Sequence, residues 1–129
     1  MRRLTPWLVL LVLLFSGCSQ VAIKDASTAQ VNHVILLWLK DPSNLHQKQQ
    51  VIEATESLRD IPGVVDIRVG ESIPSKRAVV DDSFTLGIRM LFSDEAAMER
   101  YVSHPEHVKT VTQSIMPFVD KIVIYDFRQ

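Results

Sequence analysis

The sequence predicts an α+β fold, one antiparallel four-stranded sheet with helices on one face, in the order β-α-β-β-α-β. Three observations predict it. Residues 31–40, 64–71, 83–92 and 121–127 are apolar or alternating runs of strand length. The stretches after the first and third of these carry helix-start and helix-stop residues. The chain has 129 residues, 47 % of them hydrophobic, which is enough for one packed domain and too little for two.

Residues 31–40 (VNHVILLWLK) form the first strand. Val31, His33, Ile35, Leu37 and Leu39 point one way, and Asn32, Val34, Leu36 and Trp38 the other. Both faces are largely apolar, so both need cover. Helices can cover the first face; a partner subunit is the simplest cover for the second. Asp41-Pro42 then reads as N-cap and first helical residue of a helix running to about Asp60. Its inner side carries Leu45, Ile52, Thr55 and Leu58, and Pro62-Gly63 ends it. Residues 64–71 (VVDIRVGE) alternate as a second strand, with Val65, Ile67 and Val69 against Asp66 and Arg68. Residues 72–82 are a loop. Residues 83–92 (SFTLGIRMLF) form the third strand, with Phe84, Leu86, Ile88, Met90 and Phe92 on its apolar face. Ser93 caps a short helix carrying Ala97, Met98 and Tyr101; Asp94 and Glu95 suit its positive end. His104-Pro105 breaks this helix and starts another with Val108, Val111 and Ile115, which Pro117 stops. Residues 121–127 (KIVIYDF) are the last strand. This order is the ferredoxin-like arrangement, whose uncovered sheet face supports dimerisation.

The first thirty residues read differently. Arg2 and Arg3 precede an apolar run, residues 4–15, too short for a comfortable membrane span of about 20 residues but right for a signal-peptide core. Leu14-Phe15-Ser16-Gly17-Cys18 resembles a bacterial lipobox. Small residues admit the signal peptidase to the backbone, and the Cys18 thiol is the nucleophile that takes the lipid. A plain secretory signal or an uncleaved anchor is the competing reading. The lipoprotein reading divides the chain into a signal peptide (1–17), a lipidated cysteine with a flexible tether (18–30) and the domain (31–129). It places the protein in the cell envelope, held to a membrane by acyl chains that each contribute about 0.8 kcal/mol per buried methylene. Ser19, rather than aspartate, after the cysteine points to the periplasmic face of the outer membrane in a Gram-negative host.

Net charge and cysteine content exclude some classes. The chain carries −1 overall, and losing Arg2 and Arg3 with the signal peptide makes the mature charge two units more negative. Such a domain lacks the attraction to phosphates that nucleic-acid binding requires. Cys18 is the single cysteine, so no internal disulfide is available and the fold rests on its core.

Four motifs then occur in order: residues 32–40 (NHVILLWLK), Ile61-Pro62-Gly63-Val64 with Gly70, residues 101–108 (YVSHPEHV), and Ile124-Tyr125-Asp126-Phe127. Together they resemble the stress-responsive dimeric α/β-barrel (Dabb) family over about residues 31–128. The resemblance implies a homodimer whose two sheets close into a barrel. It does not imply one function. A plant member of the family is a polyketide cyclase, catalysing an intramolecular aldol condensation with a histidine and a tyrosine in a pocket between sheet and helices. That pair corresponds here to His107 and Tyr101. A first-strand pocket histidine corresponds to His33, whereas another, on the third strand, is replaced by Leu86. Some plant members hold magnesium through backbone carbonyls; the corresponding positions are Leu58, Ile61 and Val64. Carbonyl ligands leave no side-chain signature. No side-chain metal site and no other cofactor is expected.

Each candidate has a plainer alternative. His107 could remove a proton next to a carbonyl while Tyr101 donates to the developing enolate oxygen. Equally, Tyr101 could be a core aromatic and His107 a locally bonded first-turn residue. His33 could line a pocket or be a hydrogen-bonded core residue. His104 and His107 are three apart, but two histidines are too few for zinc, and His104 before Pro105 reads as a helix boundary. His46 reads as a solvated helix residue. Trp38, with Leu36 and Val34, reads as an interface anchor, with ligand stacking as the alternative. Arg89 could balance an anionic ligand or pair with Asp66 or Glu71. Three functions stay open: a lipid-anchored small-molecule binding or stress-response protein; a cyclase, isomerase or cofactor-free oxygenase acting on a carbonyl-bearing substrate; and a non-catalytic structural envelope protein.

Overall fold

A computed structural model describes residues 29–129. The expected signal peptide, Cys18 and all but the last two residues of the expected tether lie outside the described residues. No helix among the described residues is long and apolar enough to cross a membrane.

The elements follow the predicted order. They are β1 (Val31–Leu39), α1 (Leu45–Glu56) with a 3-10 turn at Ser57–Asp60, β2 (Val64–Glu71), β3 (Leu86–Phe92), α2 (Glu95–Val102), α3 (Pro105–Thr110) and β4 (Val119–Arg128). Between α3 and β4 the chain passes through a π-turn (Val111–Ile115) and a 3-10 turn (Met116–Phe118). The sheet order is β2-β3-β1-β4, all antiparallel. The fold is ferredoxin-like, α+β. β1 lies inside the sheet, paired with β3 on one edge and β4 on the other. Val31, His33, Ile35, Leu37 and Leu39 are all buried beneath the helices. Leu86, Ile88, Met90 and Phe92 of β3 continue that layer, and Val51, Leu58, Ala97, Tyr101 and Ile115 close it from above.

Several local boundaries differ from the sequence reading. Asn44 caps α1, not Asp41: its side chain accepts from the Gln47 amide at 3.1 Å. Asp41 instead forms a turn, accepting from the Ser43 amide (3.1 Å) and hydroxyl (2.6 Å). Both side-chain types cap well, and the turn needed to leave β1 uses the first. Starting the helix at Leu45 leaves that residue 73 % exposed, and the buried stripe becomes Val51, Thr55 and Leu58. In β2, Val64 lies opposite Phe92 and Asp66 opposite Leu91, so Val65 is the extra residue of a bulge and is 52 % exposed. Val64 packs against the core, and Ile67 is the first fully buried β2 side chain.

β3 begins at Leu86, three residues later than expected. Phe84 precedes it and lies on the opposite face from Leu86, edge-on to Trp38 at 6.4 Å between ring centroids. Asp94 rather than Ser93 caps α2, accepting from the Ala97 amide at 2.7 Å. β4 starts two residues earlier than expected and pairs along the whole of β1. Gly63 has φ +96°, and a Cβ there would stand 2.8 Å from the Ala97 Cβ. The turn after α1 therefore needs glycine twice, for its left-handed backbone and for the approach of α2.

Candidate functional site

A cavity of about 150 Å³ lies between the inner face of the sheet and the helices. Most of its wall is aliphatic; the polar groups are His33 from β1, Thr55 from α1, Tyr101 from α2 and His107 from α3. Thr55 is already satisfied, donating to the Val51 carbonyl at 2.8 Å. The remaining three belong to a row of rings that crosses the core. His33 meets Phe92 edge-on (6.2 Å between centroids), Phe92 meets Tyr101 (4.9 Å), and Tyr101 meets His107 (4.5 Å).

Tyr101 follows Ala97 by one helical turn, so α2 buries both on one face. Tyr101 is 1 % exposed. Its hydroxyl makes no hydrogen bond to another described residue, and among the described residues no fully buried side-chain polar atom lacks a partner. The hydroxyl therefore opens onto the cavity. Burial pushes its pKa far above the usual tyrosine value, so at neutral pH it remains an O–H donor.

His107 sits in the first turn of α3, directed by the His104-Pro105 start. Its Nδ1 lies 2.9 Å from the Val102 carbonyl. A carbonyl only accepts, so Nδ1 carries the proton and Nε2 is left with a lone pair. Burial lowers the His107 pKa; the Val102 carbonyl works the other way, and the neighbouring His33 and His104 lower it further. At neutral pH the ring is a neutral base. Tyr101 and His107 thus form a donor and an acceptor in ring contact at one cavity.

His33 is 6 % exposed and reaches the same cavity. Its Nδ1 is 2.5 Å from the Asp126 carboxylate of β4. The sequence reading did not single out Asp126 as a site residue. Its signal was a lone acidic residue between aromatics on a strand, and only the register places it directly opposite His33.

Leu86 does not join the site. It is fully buried in the core and is not among the residues lining the cavity. His104 caps α3, its Nδ1 accepting from the Glu106 amide. His46 is exposed. The Leu58 and Ile61 carbonyls accept turn hydrogen bonds from the Ile61 and Val64 amides, each at 3.2 Å. Each keeps a second lone pair. Among the described residues no group of three or more His, Cys, Asp or Glu side chains could hold a metal ion.

Trp38 is on the far face of the sheet, away from this cavity. Its indole N–H donates to the Ser83 hydroxyl (3.1 Å), and Lys121 lies over its ring (4.2 Å). Val34 and Leu36 are half-buried on the same face. Arg89, also there, donates to Asn32 (2.9 Å) and lies 3.8 Å from Asp66, while Glu71 pairs with Lys48.

The model of one family, the stress responsive A/B barrel domain (Dabb), matches residues 31–129. The chain belongs to this family. This Dabb chain is 24 % identical over 109 residues to a stress-response A/B barrel domain-containing protein of Arabidopsis thaliana, covering 82 % of the chain and 40 % of that protein. It therefore spans about two-fifths of that relative's length. A Dabb family protein of Mesorhizobium loti with a ferredoxin-like fold is 28 % identical, with a TM-score of 0.66 over 78 % of this chain and 97 % of the other. A dimeric ferredoxin-like protein of Thermobifida fusca is 22 % identical, with a TM-score of 0.63 over 78 % and 92 %. The hydroxynitrile lyase of Passiflora edulis is 19 % identical, with a TM-score of 0.69 over 79 % and 94 %. The last two likenesses are of fold alone.

Proposed function

We propose that this Dabb domain is a homodimeric envelope protein, tethered to a membrane through Cys18, that binds a small and largely apolar molecule bearing a hydrogen-bond acceptor such as a carbonyl. One observation carries the ligand reading. The Tyr101 hydroxyl is a donor with no partner among the described residues, in a cavity otherwise lined mostly by aliphatic groups. A void of about 150 Å³ suits a compound of one ring. The dimer reading draws on Val34, Leu36 and Trp38 on the open sheet face and on the dimeric relative of Thermobifida fusca. A stress-response role draws on the family.

Cyclohexanone and cyclohexane separate the contributions. Nuclear magnetic resonance should register both at the cavity-lining residues. Tyr101→Phe should weaken cyclohexanone about tenfold, the worth of one hydrogen bond of ~1.4 kcal/mol, and leave cyclohexane unchanged. If neither compound perturbs the cavity residues, the binding reading is wrong and a structural envelope role takes its place. Cys18→Ser should abolish incorporation of labelled fatty acid; a mutant that still incorporates it overturns the tether.

A second reading is acid–base catalysis on a carbonyl-bearing substrate. The fixed Nδ1–H of His107, which leaves Nε2 as a base beside the Tyr101 hydroxyl, favours it. His107 would take a proton next to the carbonyl, and Tyr101 would donate to the oxygen as negative charge develops. A fold neighbour being a hydroxynitrile lyase supports this chemistry by analogy alone. Turnover lost in His107→Ala, with folding and dimerisation intact, would support this reading. No step of either reading uses a cation at Leu58, Ile61 and Val64.

A further inference from the structure

We propose that a second copy of the chain completes the cavity: the segment joining β2 to β3, with Ile73 and Val79, covers the mouth of the other subunit's cavity at Met116, Ile122 and Ile124. The apolar wall on that side of a ligand is then set by two side chains from the other subunit. This inference rests on the homodimer reading.

The mouth lies on one flank of the sheet. The helices pack chiefly toward β2 and β3 and leave the inner face of β4 open. Only four of the residues lining the cavity are exposed, Val102, Met116, Ile122 and Ile124, at 39–47 %. They form an apolar rim beside the β4 edge. The segment between β2 and β3 presents a matching feature. Ile73 and Val79 are 83 % and 91 % exposed. They are held out from the domain because the segment is closed on itself: the Ser75 amide donates to the Asp82 carboxylate (2.7 Å) and the Val80 amide to the Arg77 carbonyl (3.0 Å). The apolar rim and the apolar pair each call for cover.

Barrel topology brings them together. The chain belongs to a barrel family, yet its own sheet is open, with β2 and β4 as edges. Two copies related by a two-fold axis can close it in two ways: β4 beside the partner's β2, or like edge beside like edge. Charge favours the first. Beside β2, the guanidiniums of Arg59, Arg68 and Arg89 gather on the single carboxylate of Asp66. Two such clusters would repel each other at a β2–β2 seam. β4 instead offers the exposed carboxylates of Asp120 and Asp126. With β4 beside the partner's β2, the two-fold axis runs along the strands, so both copies point the same way. Register places Ile122 in one row with Leu37, Leu86 and Glu71, at the end of the sheet from which the β2–β3 segment leaves. The partner's segment therefore emerges beside the mouth.

The test is disulfide trapping in the full mature chain carrying both Ile73→Cys and Ile122→Cys. Within one subunit β2 and β4 are three strand spacings apart, about 14 Å, too far for a disulfide, which needs Cα atoms within about 7 Å. Oxidation with copper phenanthroline should therefore link two chains, giving a covalent dimer on a non-reducing gel. Each single variant, which also carries Cys18, is the control and should stay at background. A chain that sediments as a dimer but gives no cross-link above the controls overturns the inference. A chain that sediments as a monomer would instead strike the dimer reading on which the inference rests. Ile73→Glu, at an exposed position, gives a second readout. The Met116 methyl should be shielded from a soluble paramagnetic chelate in the wild type and lose that shielding in the variant; equal relaxation in the two also overturns the inference.

Discussion

Burial lowers the pKa of His107, and this couples the site to stability. A histidine with a depressed folded value binds fewer protons folded than unfolded. Its contribution is complete above the unfolded value near 6.5 and is lost as pH falls through the folded value. The wild type should therefore lose stability as pH falls from neutrality to below about 6.5, and His107→Gln should lose less over that range. Urea midpoints across that range would check it, and an unchanged slope in the variant would refute the neutral His107. Tyr101 behaves differently. Burial raises its pKa, so it stays protonated and its donor role does not vary over the same range. Gly63 marks the other residue-scale constraint. Gly63→Ala meets both a left-handed backbone and the Ala97 side chain, and should destabilise the fold by about 2 kcal/mol in chemical denaturation.

At the scale of elements, capping decided where the helices begin. Asn44→Ala should cost about 1 kcal/mol, whereas Asp41→Ala, which loosens only a turn, should cost less than half of that. Equal losses in thermal unfolding would contradict the assignment of Asn44 as cap. The strand edges were decided by pairing. Val65 reads as a core residue when β2 is considered alone, but the bulge opposite β3 turns it outward. Phe84 reads as a continuation of the β3 apolar row, yet it leaves that row to pack on Trp38, close to the space that a Cβ on Gly87 would take. A strand's alternation is therefore readable only as far as its ladder runs.

For the whole molecule, the open face of the sheet is the feature that asks for a partner. Tyr125 and Phe127 of β4 are more than half exposed there, beside half-buried Val34, Leu36 and Trp38. A second copy would cover such a surface. Trp38→Asp should abolish the proposed self-association in sedimentation velocity, because a carboxylate in the centre of an apolar interface loses its water without gaining a partner. An unchanged sedimentation coefficient would remove this face from the interface. The proposed tether at Cys18 would act twice in such a dimer, which strengthens retention without any new contact.

The element order, the ferredoxin-like class and the family were legible in the sequence. Hydrophobic period and punctuation by proline and glycine are local properties, and they survive without knowledge of the partners. It also singled out His33, Tyr101 and His107, three side chains that the structure brings to one cavity. It did not distinguish Leu86 as core from Leu86 as pocket wall, because both environments are apolar. Nor did it find Asp126. That residue acquires its meaning from lying opposite His33, some ninety positions away in the chain. Cap position, strand ends, the bulge at Val65 and the His33–Asp126 contact became legible only in the folded chain. Each depends on which segment lies alongside, and the pairing of distant strands is set by the packed sheet as a whole rather than by either strand.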